Sequence, residues 1–90
     1  MKITPSTDGV HKYVAEFSDG TQTRFGAIGM DDYTKTHDKD QRLRYLTRHK
    51  KNENWNNPKS AGALSRWILW GDHTSVAENI SAYKRRFPNL

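Results

Sequence analysis

The stretch Lys12-Tyr13-Val14-Ala15-Glu16-Phe17-Ser18-Asp19-Gly20-Thr21-Gln22-Thr23-Arg24-Phe25 decides how the first third of the chain folds. Two β-prone runs flank Ser18-Asp19-Gly20, a turn signal that joins antiparallel strands. The loop length sets the register, and the register sets which side chains share a face. A two-residue Asp19-Gly20 loop places Phe17 opposite Gln22 and Ala15 opposite Arg24, mixing apolar with polar side chains. A three-residue loop with a left-handed Gly20 places Tyr13 opposite Phe25 and Ala15 opposite Thr23. Tyr13, Ala15, Phe17 and Phe25 then make one apolar face, so the three-residue loop is the expected one.

Outward from this hairpin, Lys2 to Thr4 reads as a short edge strand that Pro5 ends. On the other side, Gly26-Ala27-Ile28-Gly29-Met30-Asp31-Asp32-Tyr33-Thr34 reads as a loop crossing the domain, with Ile28 and Tyr33 as anchors. A glycine-rich phosphate cradle is the sharper reading of that loop, but no Gly-Lys-Ser/Thr follows and no helix opens at once.

The remainder reads as three helices. Asp38 and Gln41 make a capping box for a helix over residues 39–50, with a thin stripe of Leu43, Leu46 and Tyr45. Asn57 and Pro58 suit the start of a second helix and Gly71 its stop. Ala61, Gly62, Ala63, Leu64, Trp67, Ile68, Leu69 and Trp70 cover most of its circumference, so it should be the buried centre. Trp67 and Trp70, three residues apart, are expected on one side. Ser75 and Glu78 cap a third helix whose stripe runs Val76, Ile80, Tyr83, Phe87 until Pro88. Strands first and helices after give an α+β fold, with residues 1–34 mainly β, 35–90 mainly α, and one domain over 1–90.

Ninety residues with 33% hydrophobic content predict a thin core carried by three Trp, four Tyr and three Phe. With no cysteine there is no disulfide framework and no thiolate chemistry. No signal peptide opens the sequence, and the expected compartment is a reducing one. The net charge of +5 is uneven. Residues 1–34 hold three Lys/Arg against five Asp/Glu, and residues 35–90 hold twelve against five. The basic side chains Arg44, Arg48, Lys50, Lys51, Lys59, Lys84, Arg85 and Arg86 therefore mark either a surface for an anionic partner or an ordinary solvated face. Interleaved with Trp55 and Arg66, part of this set has the character of a nucleic-acid surface.

Catalytic spacing is absent. His11, His37, His49 and His73 stand apart from one another, so no zinc pair is expected and no cofactor is implied. A hairpin before a helix suits a histidine–metal nuclease, but the helix offers His49 alone. A local His49–Glu53 hydrogen bond fixing the loop is the simpler reading. Asp31-Asp32 suits a cation or acid–base pair, and more simply a turn in which one carboxylate accepts backbone N–H groups. Arg66 is expected to pair with Asp31 or Asp32.

Arg24-Phe25-Gly26-Ala27, Asp32-Tyr33-Thr34, Tyr45, Arg48-His49, Glu53-Asn54-Trp55, Ala61-Gly62, Ser65-Arg66-Trp67 and Leu69-Trp70 follow one another across residues 24–70. In this order they resemble a family of small proteins encoded by nucleocytoplasmic large DNA viruses, including viruses of algae and amoebae. The sequence departs from that pattern at Asp31, where a small polar residue is expected. The resemblance brings no activity with it. It implies a viral protein that works in the virion, or in the host cytoplasm or nucleus during assembly. The favoured role is a non-enzymatic minor capsid or cementing component binding larger viral structural proteins, over an interface of more than ~1,000 Å². The other is a basic DNA-binding protein. No membrane insertion is expected, because Trp67-Ile68-Leu69-Trp70 is far too short to span a bilayer.

Overall fold

The computed structural model describes all 90 residues. Its sheet has three antiparallel strands in the order β1-β2-β3: β1 (Lys2–Pro5), β2 (His11–Glu16) and β3 (Gln22–Ala27). Tyr13 faces Phe25 and Ala15 faces Thr23, the register of the three-residue loop. Phe17 N–H donates to Thr21 O at 2.9 Å, and Gly20 takes φ +86°, a conformation that glycine adopts without a Cβ clash. Ala15, Phe17 and Phe25 are buried on one face, and Tyr13 stacks on Phe25 with ring centroids 5.8 Å apart. The β1 edge strand adds Ile3 opposite Ala15.

The chain then forms a one-turn helix, α1 (Tyr33–Thr36), inside the stretch expected to be loop. Asp32 creates it by accepting Thr34 N–H at 2.9 Å, and Tyr33 is buried as expected. Ile28, the other expected anchor, is 54% exposed. Its N–H bonds to Val10 O at 2.9 Å, which keeps it on the open end of the hairpin and away from the core.

α2 (Lys39–His49) starts at Asp38, whose carboxylate accepts from Asp40 and Gln41 N–H. Gln41 does not return to the Asp38 backbone and instead accepts from Thr36 Oγ1 at 2.7 Å. The central helix begins later than Asn57 and Pro58 suggest. Ser60 caps α3 (Ala61–Leu64) by accepting Ala63 N–H at 3.1 Å, while Asn57 folds back on Lys59 N–H and Pro58 O receives the Tyr83 hydroxyl. From Ser65 to Leu69 the helix widens to a π turn, with Trp70 N–H reaching Ser65 O at 3.0 Å. The longer repeat parts the two tryptophans expected on one side: Trp70 packs on α2 and Trp67 turns toward α4.

α4 (Val76–Arg86) is capped by Ser75 and lays Tyr83 into the core, with Val76, Ile80 and Phe87 partly buried around it. Ten buried side chains from the sheet, α1, α2, the central helix and α4 form one cluster. The architecture is α+β, with α1 added to the three expected helices.

A helix end leaves its last carbonyls without intrahelical donors. Here three side chains supply them. Arg42 Nε donates to Trp70 O and Gly71 O, Arg66 Nη1 donates to Trp70 O, and Asn79 Nδ2 donates to Ile68 O at 2.8 Å. Gly71 sits against this arrangement so closely that a Cβ would lie 2.3 Å from Trp67 O.

Candidate functional site

A cleft of about 640 Å³ opens between the loop after β3, α2 and the central helix. Motif residues separated by up to 44 positions in the chain, from Gly26 to Trp70, come together there.

The floor is aromatic. Tyr45 stacks on Trp70 (centroids 4.2 Å apart, planes 7° apart), and His49 stacks on Tyr45 at 4.0 Å. Glu53 closes one end by accepting Trp55 Nε1–H at 3.0 Å and hydrogen-bonding His49 Nδ1 at 3.2 Å, the local bond its spacing predicts. Gly62 lets α3 reach this carboxylate, since a Cβ there would meet Glu53 Cδ at 3.1 Å.

The opposite wall is held by Asp32, which is 3% exposed. Its partner is Lys12, at 2.6 Å, not Arg66. Lys12 runs from β2 beneath Gly26, where φ is +74° and a Cβ would lie 2.8 Å from Leu69 Cδ1 and 3.3 Å from Lys12 Cβ. Asp31 pairs with Lys35 across one helical turn. Arg66 points the other way, with its guanidinium carbon 4.0 Å from the Trp67 ring centroid and 5.1 Å from that of Trp55. Burial and the nearby Arg42 charge lower its pKa from the ordinary guanidinium value. Arg86 lies over the same Trp67 ring at 3.6 Å.

Trp55 and Trp67 are therefore half-buried, each with its indole N–H bonded inside the chain. The other motif residues stand outside the cleft: Phe25 and Tyr33 in the core, and Arg24 beside Asp8 at 3.6 Å.

The basic side chains divide as well. Lys59 pairs with Asp19 and covers the Phe17 ring, which holds the Asp19 carboxyl well below the usual carboxylate range. Arg44 and Arg48 line the cleft without an ion pair. Lys50, Lys51, Lys84 and Arg85 are exposed and also lie outside those pairs. No group of three or more His, Asp or Glu side chains is placed to hold a metal ion.

The sequence profile of a family of unknown function, DUF5754, matches residues 1–49, more than half of the chain. The chain belongs to this family. In DUF5754 terms, the matched stretch is the sheet, α1 and α2, and it ends at His49, so it supplies Lys12, Asp32, Arg44, Arg48 and Tyr45 to the cleft. Glu53, Gly62 and Trp70 close the cleft from beyond it. No curated protein and no solved structure matches the chain. No helix is long and apolar enough to cross a membrane.

Two tyrosines give this arrangement a pH signature. Burial, and then the Glu53 charge, push the Tyr45 hydroxyl above its ordinary pKa, and burial does the same for Tyr83. The folded chain thus prefers the neutral phenols. The stability they confer is complete below the unfolded value of ~10 and is lost as pH climbs toward the folded values. In an alkaline titration, part of the phenolate absorbance should rise only together with loss of far-UV circular dichroism. Complete ionisation of the four tyrosines with the fold intact would contradict this burial.

Proposed function

We propose that this chain is a non-enzymatic structural component of a large-DNA-virus particle, a minor capsid or cementing protein that binds larger viral proteins. The observation that carries this reading is how the motif side chains are used. Lys12 holds Asp32, Glu53 holds His49 and Trp55, and Arg66 lies against two indoles. Groups with the chemistry for acid–base work hold one another in place and shape a concave surface. The resemblance of these motifs to small proteins of large DNA viruses supports the viral setting. Beside the cleft, Val10, Ile28 and Met30 are 60%, 54% and 63% exposed. Exposed apolar side chains gathered at one end of a small domain favour a protein partner.

The test is cross-linking mass spectrometry on gradient-purified particles of the virus that encodes the chain. The expected result is recovery of the protein with the particles, with cross-links from its lysines to larger structural proteins. Recovery only with non-particle fractions of the infected cell would overturn the reading.

A second reading, DNA binding, is favoured by one observation: Arg44, Arg48, Lys50 and Lys51 lie within about two turns of chain and form no ion pair. It requires duplex affinity that falls steeply with salt, with a log–log slope reduced by about one for each phosphate contact removed. Arg66 lies over the faces of both Trp55 and Trp67 and Arg86 over that of Trp67, which weighs against base stacking.

A further inference from the structure

We propose that the cleft is a peptide-binding site that takes an acidic side chain flanked by apolar ones from a partner protein. The inference rests on the protein-binding reading above and names the chemistry of the partner.

Arg44 and Arg48 stand one turn apart on α2 and both line the cleft. Like charges at this spacing destabilise a helix slightly, and neither side chain has a carboxylate partner within the chain. A concave surface concentrates their field, and a guanidinium matches a carboxylate in two parallel hydrogen bonds. Between them Tyr45 is buried in the floor, its ring stacked between His49 and Trp70.

The rest of the cleft selects against a polyanion. Lys12 is taken up by Asp32, and Asp31 and Glu53 stand on the other walls, so a nucleic-acid backbone laid along it would bring successive phosphates against carboxylates. A single carboxylate at the α2 side avoids them. The floor of Tyr45, Leu69 and Trp70 and the exposed rim residue Met30 then offer apolar surface to the neighbours of that acidic side chain. The volume of about 640 Å³ suits a short run of side chains.

The experiment is an NMR titration of the isotope-labelled full chain with acetyl-Leu-Asp-Leu-amide, its Leu-Asn-Leu counterpart, inorganic phosphate and a short duplex DNA. The acidic peptide is expected to shift resonances of Arg44, Arg48, Tyr45 and Gly62 with a Kd of about 1 mM, suited to so small a probe. The Asn peptide should bind about ten-fold more weakly, since it lacks the charge-assisted bonds. The Arg44→Gln/Arg48→Gln chain should lose the difference between the two peptides while keeping its folded spectrum.

Shifts scattered over the surface, or equal shifts with both peptides, would overturn the proposal. So would phosphate or duplex DNA moving the same resonances at lower concentration than the acidic peptide, which would assign the site to phosphate. Failure here is separable from failure of the structural role. A chain recovered in particles but indifferent to the acidic peptide removes only the cleft assignment. A chain that binds the peptide but is missing from particles removes only the virion role.

Discussion

Replacing Asn79 by Ala is expected to lower the unfolding free energy by about 3 kcal/mol, from a carbonyl left unsatisfied plus the cavity left by the amide. Asn79 is 1% exposed. Its amide donates to Ile68 O and His73 O, and its carbonyl accepts His73 N–H. Of these partners, Ile68 O matters most. It belongs to the last turn of the central helix, is buried, and has lost its intrahelical donor because the chain turns away at Gly71. Water can reach the half-exposed His73 loop more easily, so those bonds should contribute less. In a domain of this size the loss corresponds to a fall in Tm of roughly 12–24 °C. Thermal unfolding followed by circular dichroism measures it. A fall of less than about 5 °C would mean that Ile68 O finds another donor, and that Asn79 does not tie α4 to the helix end.

Asn79 also shows where reading the sequence stops. The stripe Val76, Ile80, Tyr83, Phe87 was legible because period 3.6 is imposed by burial on one side. Asn79 lies on the same side, three residues after Val76 and four before Tyr83. A polar residue on a buried stripe signals an internal partner, but its partner, a carbonyl left open where the helix ends, has no local signature. The hairpin was legible for the opposite reason. One register places four apolar side chains on one face and the other scatters them. The α1 turn and the late start of α3 rest on choices between neighbouring caps, Asp32 inside a glycine loop and Ser60 over Asn57, and each is decided by tertiary packing.

The cleft was half legible. Its motif residues stood out in order along the chain, yet their pairing could not be read from order. Arg66 and Lys12 are both cations within reach of an aspartate in principle. Gly26 decides between them, because the missing Cβ opens the path that Lys12 takes to Asp32. Lys12 lies outside the recognised motifs, so nothing nearby in sequence marks it. Exposure of Ile28 is likewise a consequence of backbone pairing with Val10, which a loop reading does not contain.

Tyr45→Ala is expected to cost about 3–5 kcal/mol, while Tyr45→Phe should change stability by less than about 1 kcal/mol. The ring is the middle of a stack that runs from His49 through Tyr45 to Trp70. It joins the matched stretch of the chain, which ends at His49, to the central helix beyond it. Truncation removes the floor of the cleft and the surface on which α2 rests. Phe, by contrast, keeps the ring and both of its stacking partners, so it loses little. Denaturant unfolding separates the two variants by midpoint, and near-UV circular dichroism reports the Tyr45–Trp70 stack directly. In Tyr45→Ala the near-UV signal should fall even where the far-UV signal of the remaining fold survives. Equal stability of the two variants would mean that the stack carries no packing energy. A large loss in Tyr45→Phe would mean that the hydroxyl, and not the ring, holds α2 against the central helix.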